Sequence, residues 1–141
     1  VVAENERHTL GIRDFDEFGF LPMKVIDLDE KLGLFSDHWS PRIIAATNGQ
    51  EVKIAKFRGG FEWHSHPDAD EMFVVLHGSF TMEFRDHSVE VREGQMIVVP
   101  QGVEHRPMTD TDCSVMMIEP AGLVNTGDAD ASERTTAGTW I

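Results

Sequence analysis

From Pro41 onward the chain is written in short runs of apolar and β-branched residues separated by turn-forming pairs. Arg42–Thr47 and Gln50–Phe57 flank Asn48-Gly49, where both residues tolerate positive φ, and this predicts a two-residue hairpin. Further runs follow at Glu71–Leu76, Ser79–Arg85, Ser88–Arg92, Met96–Val99 and Ser114–Ile118. Gly59-Gly60, His77-Gly78, Asp86-His87, Glu93-Gly94 and Gln101-Gly102 punctuate them. Many short strands at regular spacing predict an all-β sandwich or barrel.

Alternation within the runs says which strands have a wet side. Phe80, Met82 and Phe84 share one face and Thr81, Glu83 and Arg85 the other; Val89 and Val91 oppose Glu90 and Arg92 in the same way. Met72–Leu76, Met96–Val99 and Val115–Ile118 are apolar at nearly every position, so both of their faces need cover. The second cover is expected from the N-terminal segment or from another subunit, which makes a homodimer the expected assembly.

Outside the strand region the pattern changes twice. Asp27 to Phe35 places a capping residue before early acids, with Leu28, Leu32 and Phe35 at helical spacing, and predicts one short helix ending near Ser36. After Glu119-Pro120 the chain turns small and polar without periodicity, and is expected to be extended or partly disordered. The expected organisation is an N-terminal segment with a short helix over 1–40, a barrel over 41–120 and a polar tail over 121–141.

Bulk properties narrow the function classes. A chain of 141 residues fits one domain, and its net charge of −13 is the opposite of a nucleic-acid footprint. No apolar run reaches the length of a membrane span. The N-terminus has neither the basic start nor the apolar run of a signal peptide, and Val1 in place of an initiator Met is read as trimming. The single cysteine, Cys113, precludes an internal disulfide and suits a reducing cytoplasm; with acids around it in an expected loop, it receives no catalytic role.

The chemistry is concentrated in His64-Ser-His66, Glu71 and His105, three imidazoles and a carboxylate that form a complete ligand set for one transition-metal ion. On extended backbone His64 and His66 project to the same side. Glu71 has the wrong parity to join them unless Pro67-Asp68-Ala69-Asp70 resets the phase, and His105 arrives separately, after the turn at Pro100-Gln101-Gly102. His8, His38, His77 and His87 are read as ordinary surface imidazoles, and Trp63 as pointing away from the metal into core or interface.

These residues carry a resemblance. Gly59-Gly60, His64-x-His66-x4-Glu71-x6-Gly78 resembles the first motif of the cupin superfamily, and Gly94-x5-Pro100-x-Gly102-x2-His105 the second. Two positions depart from the pattern: Arg58 stands where the family has a glycine, and Thr109 where it has an asparagine. The resemblance implies a double-stranded β-helix, the jelly-roll barrel. It makes His64, His66, Glu71 and His105 the metal ligands. It is to the small single-domain cupins often labelled mannose-6-phosphate isomerase-like.

Four mixed ligands leave open positions on an octahedral ion for water, dioxygen or a chelating substrate. Manganese, iron, nickel, zinc and copper all remain candidates. The chain has no tyrosine, which excludes the tyrosine acid of metal-free cupin epimerases and the Cys–Tyr crosslink of cysteine dioxygenase relatives. The expected function is a metal-dependent enzyme, dioxygenase-like oxidoreductase or metal-assisted isomerase or lyase, acting on a small organic substrate. The competing expectation is a non-catalytic protein that holds a metal or small ligand for sensing or storage. Thr81, Gln95 and Arg106 are the candidate polar residues behind the ligands, and the methionines are expected as barrel filling, some of them pocket-lining.

Overall fold

Asn48 and Gly49 turn the chain with φ of 51° and 76°, both in the left-handed region, and join the antiparallel strands β1 (Arg42–Thr47) and β2 (Gln50–Gly60). They belong to a computed structural model that describes residues 23–141, so most of the expected N-terminal segment, His8 included, lies outside the described residues. The remaining elements are α1 (Leu28–Leu32), β3 (Glu71–His77), β4 (Ser79–Phe84), β5 (Ser88–Arg92), β6 (Met96–Val99), β7 (His105–Pro120) and β8 (Thr139–Trp140).

The long strands β2 and β7 organise the barrel. They pair antiparallel from Gln50–Pro120 to Gly60–Met108, with a register break between Phe57 and Gly59. On its other side β7 changes partner along its length. Its first residues, His105 to Met108, pair with β4, and its last part, Ser114 to Ile118, pairs with β3. The strand thus passes from one sheet into the other, which is how a single ladder rolls up into a double-stranded β-helix. The hydrogen-bonded order is β5-β4-β7-β2-β1-β8, with β3 attached to β7 and β6 to β3.

Two apolar clusters follow from this roll. The barrel interior buries Phe57, Phe61, Phe73, Phe80, Met82, Val91, Val99 and Val115. A second cluster lies outside the sheet, where Leu32 and Phe35 pack on Ile44 and Ile54. Asp27 caps α1 by accepting from Glu30 N at 2.9 Å, and the helix stops at Gly33. The helix is therefore shorter than its apolar spacing predicts. Phe35 is buried on the same cluster, but from non-helical backbone.

The tail departs furthest from expectation. Residues 121–138 form a series of hydrogen-bonded turns against the barrel, and β8 then adds parallel to β1. Its polar side chains satisfy its backbone locally: Asn125 accepts from Thr136 N at 2.9 Å and donates to Arg134 O at 2.8 Å. Thr126 is buried beside Thr135. Such bonding needs no apolar repeat, so a strand or helix period was the wrong signal for it. No helix among the described residues is long and apolar enough to cross a membrane.

Candidate metal centre

The four expected ligands meet inside the barrel although they come from three segments. His64 and His105 exchange backbone hydrogen bonds, His64 N to His105 O at 3.1 Å and His105 N to His64 O at 2.9 Å. This bridge brings the segment after β2 onto the start of β7. His66 follows in loop rather than strand, and a turn at 67–68 restores the phase so that Glu71, Phe73 and Val75 point inward from β3. One ligand atom from each of His64, His66, Glu71 and His105 lies within 4.8 Å of the others, and all four residues are buried.

Burial without partners is the telling property of the cluster. His66 Nε2, His105 Nε2 and Glu71 Oε1 have no hydrogen-bond partner, although Glu71 Oε1 stands only 3.5 Å from His66 Nε2 and 3.4 Å from His105 Nε2. Leaving such groups dry and unpaired costs about 1–3 kcal/mol each. The rings of His64 and His105 are oriented for ligation. His64 Nδ1 donates to Glu62 O at 2.9 Å and His105 Nδ1 to Val103 O at 2.8 Å. A carbonyl only accepts, so each proton sits on Nδ1 and each Nε2 keeps its lone pair free. Burial and the neighbouring His105 push the His64 pKa down to about 4, which keeps that ring neutral near pH 7. Contacts from Glu119, His105 and His66 outweigh burial at Glu71 and hold its carboxyl below the usual range. The donor set, its burial and its unpaired atoms fit one metal ion.

A narrow cavity of about 30 Å³, open to solvent at one end, adjoins the cluster. Trp39, Phe57, Phe61, Phe73 and Met117 form most of its wall, with His64, Glu71 and Asn125 as the polar groups. Trp39 adopts a φ of 57°, unusual for so large a side chain, and is fixed there by Nε1 donating to Arg58 O at 2.8 Å and by stacking on Phe57 with centroids 4.5 Å apart. Asn125 comes from the tail, which is tied to the ligand loop at Ser65. Asp128 accepts from Ser65 N at 2.6 Å and from Ser65 Oγ at 2.9 Å.

Several residues fall elsewhere than expected. Trp63 is neither core nor cavity wall: it lies under the guanidinium groups of Arg85 and Arg106, at 4.0 and 5.2 Å. Arg106 also pairs with Glu83 at 2.6 Å, and Gln95 bonds Arg92 N, so neither turns toward the cluster. Thr81 lines a separate polar groove with Glu90 and Asp110. His38, His77 and His87 pair with the acids Asp112, Asp29 and Asp86 near the surface. Cys113 sits inside β7, not in a loop, and burial rather than neighbouring acids pushes its thiol up to about 12.

The residues behind Glu71 are Glu51, Lys53 and Glu119, all buried and none of them singled out by the sequence pattern. Val52 and Ile54 in β2 imply that Glu51 and Lys53 face water. The reverse holds because the outer cluster under α1 takes Val52 and Ile54. A signal was present in Ala55 and Phe57, which share the parity of Glu51 and Lys53 and line the cavity.

Similarity to known proteins agrees with this geometry. The cupin domain model matches residues 50–119. A cupin-2 domain containing protein from Shewanella frigidimarina is 46% identical over 68% of this chain and 94% of its own, with a TM-score of 0.67. NMB1881 from Neisseria meningitidis is 33% identical over 69% of this chain and 99% of its own, with a TM-score of 0.64. YdbB of Bacillus subtilis is 38% identical over 64 residues, which span 45% of this chain and 57% of YdbB. Two relatives above 30% identity, each matched over more than nine-tenths of its own length and about two-thirds of this chain, show that the chain belongs to the cupin superfamily.

Proposed function

We propose that this protein is a metal-dependent enzyme in which His64, His66, Glu71 and His105 hold one divalent transition-metal ion. The observation that supports it is the convergence of four buried ligand groups, three of them with an unpaired donor atom, beside an aromatic cavity. Manganese, iron, nickel, zinc and copper all suit such a donor set. When bound, the ion would supply Lewis-acid polarisation and a template for a substrate oxygen, or for dioxygen if it is redox-active.

The chain's own residues define what enters. Trp39, Phe57, Phe61 and Phe73 exclude water and favour a flat or apolar body, while Asn125, held by Thr136 N and Arg134 O, adds a fixed polar edge. The substrate class is a small, partly apolar organic molecule carrying a metal-binding oxygen. The chemistry is that of a dioxygenase-like oxidoreductase or of a metal-assisted isomerase or lyase. In this reading the barrel over 41–120 supplies the ligands and the tail over 121–141 closes one wall.

The lining also motivates a second reading. Apart from the four cluster residues, no acid, base or nucleophile among the described residues lines the cavity, which also suits a protein that holds a metal or small ligand without turnover. Elemental analysis of protein purified without added metal, followed by oxygen-uptake and isomerisation screens with that metal, separates the two. Metal at one equivalent with turnover supports the enzyme. One equivalent with tight ligand binding and no product supports the binding protein, and absence of metal uptake by wild type would sink the enzyme and leave the binding reading only as a metal-free small-ligand holder. We further propose that the protein is cytoplasmic, as its buried lone thiol suits, and that a second copy covers the outer sheet face.

A further inference from the structure

Behind the four-residue cluster runs a buried row of charged side chains that the proposed function does not use. Glu51 pairs with Glu119 across β2 and β7, and one step beyond the Met72–Ile118 pair Glu71 faces Glu119 across β3 and β7. The three carboxyls therefore stand side by side on the inner face, with exposures of 5%, 2% and 4% for Glu51, Glu119 and Glu71. Like groups directly opposite one another repel, so the row needs a cation. Lys53, 1% exposed, supplies it. Its Nζ donates to Glu119 Oε1 at 2.7 Å and to Leu123 O at 3.1 Å, and lies 3.9 Å from Glu51 Oε1. Glu51 is tied off separately by Gly122 N at 2.8 Å.

Glu119 is the pivot of the row. One of its oxygens takes Lys53, while Oε2 receives no hydrogen bond, and the strand register sets the residue opposite Glu71. We infer that Glu119, anchored by Lys53, is a positioning residue that holds the Glu71 carboxyl with Oε1 turned toward His66 and His105. The inference rests on the metal reading of the cluster. A stability role alone is a poor account of the pair. Buried ion pairs replaced by apolar residues of similar volume are often as stable or more so, whereas groups that orient a ligand are needed for affinity.

The test is a Co(II) titration of the full-length protein, read by equilibrium dialysis and by the visible absorption of the bound ion. The variants are Glu119→Gln and the double replacement Lys53→Met with Glu119→Leu. Glutamine keeps the Lys53 contact through its carbonyl and presents an amide donor to the Glu71 carboxyl, so the side chain still orients Glu71. It is expected to stay within about threefold of wild-type affinity and keep the spectrum, whereas the double variant, with its melting transition intact, binds Co(II) roughly 10–100-fold more weakly with an altered band. Wild-type affinity and spectrum in the double variant would overturn the inference, as would a Glu119→Gln protein damaged to the same degree. Should the double variant not fold, Glu119→Met set against Glu119→Gln carries the same comparison. A wild-type chain that takes up no Co(II) removes the metal reading and this inference together, while an unmoved double variant of a metal-binding wild type removes only the inference.

Discussion

The three imidazoles of the cluster are held in different ways. His64 and His105 are pinned through Nδ1 by backbone carbonyls two residues before them, an arrangement local to each segment. His66 has neither ring nitrogen bonded and depends on what packs around it. At His64 the consequence is a pH dependence of the metal-free protein. Its folded pKa of about 4 lies below the ordinary 6.5, so the unfolded chain binds the extra proton first. Stability therefore rises with pH between those values and is lost as pH falls from about 6.5 toward 4, by up to about 3 kcal/mol. Urea midpoints of metal-free protein at pH 4.5 and 7 check this, and the pH difference is expected to shrink in His64→Gln. An equal pH dependence in the variant would place the titration elsewhere. The clustering of His64, His66, Glu71 and His105 was legible from residue type and spacing, because metal chemistry restricts the possible donors so strongly. Lys53, Glu51 and Glu119 were not, since a charged residue alternating with apolar ones reads as the wet face unless the cover on the other face is known.

At the scale of elements, the tail matters most to the site. Asp128 clamps Ser65 between the two loop histidines, Leu123 O meets Lys53, and Gly127 lies directly over the ligand loop. A Cβ at Gly127 would stand 2.2 Å from Ser65 O and 3.1 Å from His66 Nδ1, on a residue with φ of +50°. Gly127→Ala is accordingly expected to destabilise the fold by about 1–3 kcal/mol and to weaken metal binding through displacement of His66. Denaturation midpoints with and without metal measure both effects; a variant with an unchanged midpoint would show that the tail does not press on the loop. The strands were largely readable: Arg42–Thr47, Ser88–Arg92 and Met96–Val99 stand where their apolar runs and flanking turns place them. β2 and β7 run longer than their apolar cores because pairing resumes past a register break, Gly59 with Thr109 and Gly60 with Met108, while Asp110 to Asp112 bulge between the two ladders. The tail escaped because Ser, Thr, Asn and Asp side chains order it one bond at a time, and such bonds leave no period.

For the molecule as a whole, the outer face of the sheet carries, among the described residues, apolar rows without full cover. On the outer face, register aligns Val98, Met72, Ile118 and Val52 in one row and Met96, Val74, Met116 and Ile54 in the next. The end of these rows at β2 lies under Leu32 and Phe35, whereas at β6 Met96 is 58% and Val98 46% exposed, on a strand whose described pairing is to β3 alone. A continuous apolar face of this kind marks an interface more often than a solvated surface, and a second copy offers the same rows to itself. The expected assembly is a dimer in sedimentation at micromolar concentration. Met96→Lys combined with Val98→Lys is expected to weaken it roughly 100-fold or more by burying unpaired charge, while the Co(II) titration stays unchanged. Salt supplies an independent check. Two chains of net charge −13 repel, so an apolar interface between them tightens as ionic strength rises and screens that repulsion. An interface built on ion pairs would loosen instead. A wild-type chain that stays monomeric at high salt and high concentration would show that the exposed rows of β6 and β3 meet no second copy.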